Sequence, residues 1–225
     1  MIRNRISVST IAGVSAMIVA NSALANGHTW KVNEVFSTAD GSIQFIELRE
    51  CCGGALETGV NGQSITSIAT GNVFTFSSNL TAPTSNKHIL LATTAFAALP
   101  GAPTPDHIIP ANFFSLTGET LQYWIYDAWA ITAGTVPIDC VNSLDRNSGV
   151  GVNSPTNYAG ATGQIDAWPG RIADLNSDNV VDTADLGILI GEFGTAGVVA
   201  DLNNDGTVDT ADLGILIGLF GSSCP

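Results

Sequence analysis

The fold is indicated by residues 29–48, which read TWKVNEVFSTADGSIQFIEL. Two runs rich in β-branched and aromatic residues, at 29–36 and 42–48, flank the turn Ala-Asp-Gly at 39–41. A short Gly-containing turn between two such runs is typical of a β-hairpin. Similar runs follow at 64–69, 72–78, 88–93 and 120–130, whereas only 94–99 looks helical. This spacing of short strands predicts a β-sandwich.

The composition limits the class of protein. The chain has 225 residues, of which 45% are hydrophobic and 12% charged, so it is too apolar to be disordered and long enough for a substantial core. It carries 20 acidic and 7 basic side chains, for a net charge of -13. Because Lys and Arg form no cluster along the sequence, we expect no nucleic-acid partner.

The N-terminal segment predicts export. Two arginines precede an uncharged run at 6–20, and Ala-Leu-Ala follows at 23–25, which is the pattern of a secretory signal peptide covering 1–25. A membrane anchor is disfavoured because this run is shorter than the ~20 residues of a spanning helix. We therefore expect a secreted protein, extracellular or on the cell surface, with no membrane span in the mature chain.

Export permits disulfides among Cys51, Cys52, Cys140 and Cys224,. Four cysteines allow three pairings. Neighbouring cysteines rarely pair with each other, so we expect Cys51 or Cys52 to bond to Cys140. Metal binding is the weaker alternative, because no second cysteine pair or nearby histidine completes a tetrahedral set.

An internal repeat carries the clearest chemistry. DLNSDNVVDTAD at 174–185 recurs as DLNNDGTVDTAD at 201–212, 27 residues later. Side-chain oxygens stand at positions one, three, five, nine and twelve, and position seven offers a backbone carbonyl, as in a twelve-residue calcium loop. The predicted ligands of two Ca²⁺ ions are Asp174, Asn176, Asp178, Val180, Asp182 and Asp185, then Asp201, Asn203, Asp205, Thr207, Asp209 and Asp212. A merely solvated acidic surface would not repeat its register.

Each loop runs into an apolar segment with helical spacing. The residues expected on its buried face are Leu186, Leu189, Ile190 and Phe193, then Leu213, Leu216, Ile217 and Phe220,. The opposite face is formed by small or apolar residues, namely Ala184, Gly187, Ile188 and Gly191, then Ala211, Gly214, Ile215 and Gly218. Interior glycines cost about 1 kcal/mol each relative to alanine. This face is therefore interpreted either as a partner surface or as an internal packing face.

These repeats resemble dockerin type I modules, of the kind found in planctomycete secreted proteins. The resemblance covers 174 to about 221 and rests on Asp at position twelve and on DTADLGILIG, identical at 182–191 and 209–218. It implies a small all-α, EF-hand-type module that binds calcium and docks onto a cohesin-like or other surface protein. It also implies recognition through loop positions ten and eleven. With the neighbouring isoleucines, the expected partner-binding residues are Thr183, Ala184, Ile188, Thr210, Ala211 and Ile215.

The first part of the chain resembles lamin-tail-like domains. The resemblance covers roughly 29–160 and rests on 29–48 and on SLDRNSGVGVNSPTNYAG at 143–160. It implies an immunoglobulin-like β-sandwich with a binding or structural role. Asn33, Glu34 and Glu47 match polar positions of that family and are expected to be hydrogen-bonding groups at strand edges.

The expected organisation is a signal peptide at 1–25, a lamin-tail-like β-sandwich at 26–160, a linker at 161–171 and the dockerin-like module at 172–225. No catalytic motif was found. Glu47 and Glu50 could form a glycosidase pair, but residues three apart on a strand point to opposite faces. We favour a non-catalytic secreted protein tethered through its calcium loops. The alternative is a tethered enzyme, or another component, of a polysaccharide-degrading system.

Overall fold

The computed structural model describes residues 27–197 and 199–224, and the expected signal peptide lies outside them. The strands are β1 (Trp30–Ser37), β2 (Gln44–Glu50), β3 (Ser64–Ser67), β4 (Val73–Thr75), β5 (His88–Thr93), β6 (His107–Ile109), β7 (Glu119–Tyr123), β8 (Asp127–Ile131), β9 (Asn142–Asp145) and β10 (Gly149–Val152). The helices are α1 (Thr94–Ala97), a 3-10 turn (Pro169–Ala173), α2 (Thr183–Glu192) and α3 (Thr210–Leu219).

The strands form two sheets. One has the order β10-β9-β1-β2-β5-β6, and the other has the order β4-β3-β7-β8. The β1–β2 hairpin forms as predicted, and all strand pairs are antiparallel except β5–β6. Buried residues of both sheets share one cluster that includes Trp30, Val32, Ile46, Leu48, Ile65, Leu121 and Tyr123. The prediction of mainly β structure is confirmed.

Three strand assignments differ from the expectation. The run 120–130 is not one strand, because it turns at 124–126 to make the β7–β8 hairpin. The predicted strand runs end at 130, yet 142–152 form the β9–β10 hairpin on the edge of β1. The short strand β6 was also missed. The β9–β10 hairpin is polar and contains glycine, so its strand propensity is weak and its strand structure comes from pairing with an existing edge.

The expectation of a separate all-α module after the sandwich is wrong. Each helix has only ten residues, and the loop before each helix pairs through its backbone with the segment that follows the other helix. Val181 exchanges backbone hydrogen bonds with Gly221 and Ser222 at 2.8 and 2.9 Å, and Val208 does so with 194–195 at 2.8 and 2.9 Å. Buried residues of this segment also share one core with the sandwich, in a cluster that includes Phe36, Phe45, Leu90, Ala173, Val181, Leu189, Val208 and Leu216. Neither helix is long enough to build a core alone.

Two buried glutamates fasten the segment after β10 to the six-stranded sheet. Glu34 and Glu47 are opposite each other on β1 and β2 and are 2% and 1% exposed. Glu34 accepts the Ser154 amide at 2.9 Å and the Ser143 hydroxyl at 2.5 Å, while Glu47 accepts the Thr156 amide at 2.8 Å. Both side chains therefore have structural hydrogen-bonding roles. Burial raises the pKa of Glu34 in spite of these hydrogen bonds,.

A raised pKa makes the Glu34 site pH-dependent. Its stabilising contribution is fully present below the ordinary value of 4.5 and is lost as pH rises through the higher folded-state pKa. Gln does not titrate. We therefore expect the melting temperature of Glu34→Gln, measured relative to the wild type, to increase as pH rises from below 4.5 towards neutrality. Glu192→Gln serves as the control. A difference that is constant with pH, or that falls, would contradict the assignment.

The disulfide pairing differs from the expectation. Cys140 is bonded to Cys224, and Cys51 is bonded to Cys52, so the predicted bridge from Cys51 or Cys52 to Cys140 is wrong. The turn at 52–54 packs its amides on Glu50, which keeps both neighbouring cysteines at the end of β2. The chain after α3 returns to the sandwich and brings Cys224 to Cys140.

The Cys140–Cys224 bridge closes a loop with a sequence separation of 84. In the chain-entropy description, a loop of this length contributes about 4 to 5 kcal/mol as an upper value. We expect Cys140→Ala/Cys224→Ala to lower the free energy of urea unfolding by up to this amount. Cys51→Ala/Cys52→Ala should lower it far less, because that bridge encloses no chain. Non-reducing peptide mapping that joins Cys140 to Cys51 or Cys52 would refute the pairing.

Candidate calcium loops and docking surface

The two repeated loops have the same internal hydrogen bonds. Nine bonds in 174–185 each have a counterpart in 201–212, with matching donors and acceptors. Asp174 accepts the amides of positions five and six at 3.1 and 3.0 Å, and Asp201 accepts them at 3.1 and 2.9 Å. The loops differ in sequence only at positions four, six and seven. The residues that they share therefore set the conformation.

The aspartates at position twelve are the centres of this network. Asp185 and Asp212 are both 0% exposed. Asp185 accepts the amides of positions two and three at 2.7 and 3.2 Å and that of position nine at 2.8 Å; the Asp212 distances are 2.8, 3.1 and 2.8 Å. The bond from the Asp209 amide, with those from positions two and three, lowers the pKa of Asp212. Its carboxylate is thereby kept ionised at the base of the loop.

Position nine connects each loop to its helix. The side chains of Asp182 and Asp209 accept the amides of Ala184 and Ala211 at 2.7 Å. Together with the aspartates at position twelve they complete a capping box at the start of α2 and α3,. A loop that ends in this way fixes the direction in which its helix leaves.

Position six has the backbone conformation expected of a calcium loop. Asn179 has a φ of 68° and Gly206 a φ of 94°, both in the left-handed region that Gly and Asn tolerate best. The chain can therefore turn sharply and return its later ligands towards the earlier ones.

The donor set fits a hard cation. Each loop offers four carboxylates, one Asn amide oxygen and a backbone carbonyl, which are calcium ligands, and it offers no sulfur or imidazole. In the described ranges no three His, Cys, Asp or Glu side chains converge as a metal site, and the loop carboxylates are hydrogen-bonded to backbone amides instead. The predicted ligands therefore belong to two loops of suitable composition, but the structure does not bring their carboxylates together as a metal site, and metal binding stays a prediction.

The buried face of each helix is narrower than expected. Leu189 and Leu216 are fully buried, but Ile190 and Ile217 are each 60% exposed, so the predicted four-residue stripe is wrong at these positions. Two further members, Phe193 and Phe220, are 44% and 47% exposed; they follow the last helical residues in an extended conformation. The buried line consists instead of Val181, Asp185 and Leu189, then Val208, Asp212 and Leu216. Hydrogen bonds to the loop amides turn each aspartate inward and set the helix rotation.

The opposite faces are open. A Cβ placed on any of the four helical glycines would meet no atom within 4 Å, so the glycines are not required for close packing within the described chain. This contradicts the internal-packing interpretation. Of the predicted partner-binding residues, Thr183, Ala184, Thr210 and Ala211 are exposed, whereas Ile188 and Ile215 are half-buried. All six are accessible on the surfaces of α2 and α3, which we call the helix faces.

Glu47 and Glu50 do not resemble a catalytic pair. Glu50 is fully buried and accepts amides of Cys52, Gly53, Gly54 and Asn86 at 2.9 to 3.0 Å. Burial alone would raise the pKa of Glu50, but the bonds from Asn86, Gly54 and Cys52 outweigh it and lower the pKa. Its carboxylate is committed to holding a loop.

Among the described helices none is long and apolar enough to cross a bilayer.

Comparison with known proteins gives one partial likeness. No protein-family model matches the chain, and no curated protein matches it; the likeness to lamin-tail-like domains therefore gains no support. Among solved structures, a Type II cohesin-dockerin domain from Bacteroides cellolosolvens is similar to part of the chain. The match is 47% identical, covers 23% of this chain and 85% of that chain, and has a TM-score of 0.22. A score of this size decides neither fold nor partner, and the chain is similar over this part only.

Proposed function

We propose that the repeated loops bind two Ca²⁺ ions and that the helix faces then dock the chain onto a protein partner outside the cell. The observation that carries the first half is the pair of matching hydrogen-bond networks. Four carboxylates lie within each twelve-residue loop, and no Lys or Arg follows Arg171. A divalent cation would offset this repulsion, so metal binding and ordering of the segment are coupled.

The loop residues would hold the ion from two sides. The predicted ligands at positions one, three, five, seven and nine hold the ion from the loop itself. Asp185 and Asp212 join it from the helix side, because they are already fixed by three amides each. An ion held in this way ties each loop to the first turn of its helix and presets the helix faces.

Docking is supported by an exposed apolar surface that occurs once in each of the two repeats. Ile190 and Phe193 on one repeat have the same exposure as Ile217 and Phe220 on the other, within a few per cent. They adjoin the exposed small residues of the helix faces. Apolar residues in such a cluster, next to glycines that allow close backbone approach, are typical of a protein interface. We propose tethering of the secreted sandwich as the role of this surface.

Calcium binding is tested on the full mature chain by calorimetric titration. We expect two sites in the wild type, one site in Asp174→Asn and in Asp201→Asn, and none in the double variant. Each occupied site should stabilise the fold by about 2.7 kcal/mol when calcium is at 100 times its Kd, so chelation should lower the melting temperature. Asp40→Asn, in the β1–β2 turn, is the matched control. Zero stoichiometry, or a melting temperature indifferent to chelator, would refute the calcium proposal.

Docking is tested with the type II cohesin of Bacteroides cellolosolvens as the probe. We expect binding that requires calcium. Ala184→Lys/Ile188→Lys, or the same changes at Ala211 and Ile215, should weaken it by about two-fold, the statistical factor for losing one of two equivalent surfaces. Changing both surfaces should abolish binding.

The control for this experiment is Ala55→Lys/Leu56→Lys, which places two charges on exposed residues of the sandwich and should have no effect. Melting curves in saturating calcium separate docking from folding. A fall in stability in both single-surface variants would show that these residues are packed internally. That result, or binding that survives charges on both surfaces, would end the docking proposal while leaving the calcium proposal untouched.

A further inference from the structure

A cleft of about 530 Å³ lies across β1, between the end of β2 and the β9–β10 hairpin. Its lining residues are Lys31, Val32, Asn33, Arg49, Cys51, Arg146 and Asn147. The described ranges contain five Lys and Arg residues, because two of the seven in the chain are Arg3 and Arg5. Three of these five meet in this cleft. The sequence shows no cluster of basic residues, so the fold itself assembles one.

The arrangement contains a repulsive contact. Lys31 and Arg49 are direct partners in the β1–β2 register, and like charges opposite each other on neighbouring strands destabilise a sheet. The Arg49 side chain is exposed and, in the part of the chain that the structure describes, makes no hydrogen bond or ion pair. A local rule broken without compensation inside the protein is expected at binding sites.

The charges in the cleft do not balance. Asp127 is the acid that pairs with these cations: it lies 2.6 Å from the Arg146 guanidinium and 3.5 Å from the Lys31 ammonium. The other nearby acid, Asp145, accepts the turn amides of Asn147 and Ser148 at 2.8 Å each. The three lining cations outnumber these two carboxylates, neither of which lines the cleft, so the cleft keeps a positive surplus.

Other groups at the cleft are already engaged. His88 is opposite Arg49 on β5, and its Nδ1 lies 2.8 Å from the Glu47 carboxylate. Arg146 also donates to the carbonyls of Val32 and Ala128, both at 3.2 Å. Arg146 is therefore a fixed wall of the cleft. Arg49 has no such partner, and Lys31, although paired with Asp127 at 3.5 Å, keeps its side chain 44% exposed to a ligand.

We propose that this cleft binds a small ligand that carries two carboxylate groups. The planar guanidinium of Arg49 can hold one carboxylate with two parallel hydrogen bonds. The ammonium of Lys31 supplies a second positive charge beside it. The volume falls within the range of about 300 to 1,000 Å³ that is usual for small-molecule sites. Such a site gives the sandwich a ligand of its own, separate from calcium binding and docking at the other end of the chain.

The ligand could be a free dicarboxylate or an acidic sugar, so the test uses one probe of each source. Succinate and digalacturonate are titrated calorimetrically into the full mature chain, with acetate and cellobiose as controls that lack the second or both charges. We expect saturable 1:1 binding of at least one diacid and none of the controls. If digalacturonate alone binds, the source is an acidic sugar; if both bind, the paired carboxylates suffice.

The variants connect binding to the cleft. Arg49→Gln and Lys31→Gln should each weaken diacid binding at least ten-fold, whereas Lys87→Gln, a basic residue outside the cleft, should not. Without ligand, the melting temperature of Arg49→Gln should equal or exceed that of the wild type, because the repulsive pair is gone. No diacid binding, or binding that all three variants retain equally, would overturn the proposal.

Discussion

Buried carboxylates that accept hydrogen bonds from backbone amides hold the irregular parts of this chain in place. Glu50 orders the loop after β2, Glu34 and Glu47 order the segment after β10, and Asp185 and Asp212 order the repeated loops. In each case one side chain satisfies amides that would otherwise be left unpaired away from water. The same interaction supports both the sandwich and the repeats.

This use of acids explains how a chain with a net charge of -13 can be largely apolar inside. A buried carboxylate costs free energy unless its oxygens are hydrogen-bonded, and charge-assisted bonds are the strong ones. Two or more donors for each carboxylate offset this cost, fully at Glu50 and only in part at Glu34. Much of the acidity of the chain is therefore structural, and only part of it faces solvent.

The sequence predicts features that depend on local spacing. The β1–β2 hairpin, the twelve-residue loops and the left-handed residues Asn179 and Gly206 all follow from a few consecutive positions. The inward rotation of Asp185, which leaves Ile190 exposed, could not be read from hydrophobic periodicity, because hydrogen bonds to loop amides override it. The sequence signal for this rotation was the loop spacing, because a ligand at position twelve must face its own loop.

Features that depend on tertiary contacts could not be predicted from the sequence. The pairing of Cys140 with Cys224 requires the chain to return after α3. The basic cleft requires the β1–β2 register to place Lys31 beside Arg49, and it requires a hairpin distant in sequence to add Arg146. No spacing rule connects residues so far apart. Composition alone suggested that basic side chains were scattered.

The repeat segment is attached to the sandwich at both of its ends and at nearly the same place. At its start, the Arg171 guanidinium donates to the carbonyl of Asp139; at its finish, Cys224 is bonded to Cys140. A segment anchored at one base cannot swing as it would on a flexible connector, so anything held on its helices keeps a set orientation towards the sandwich. A force applied to those helices is transmitted to the sandwich through two attachments, so neither end of the segment can detach on its own.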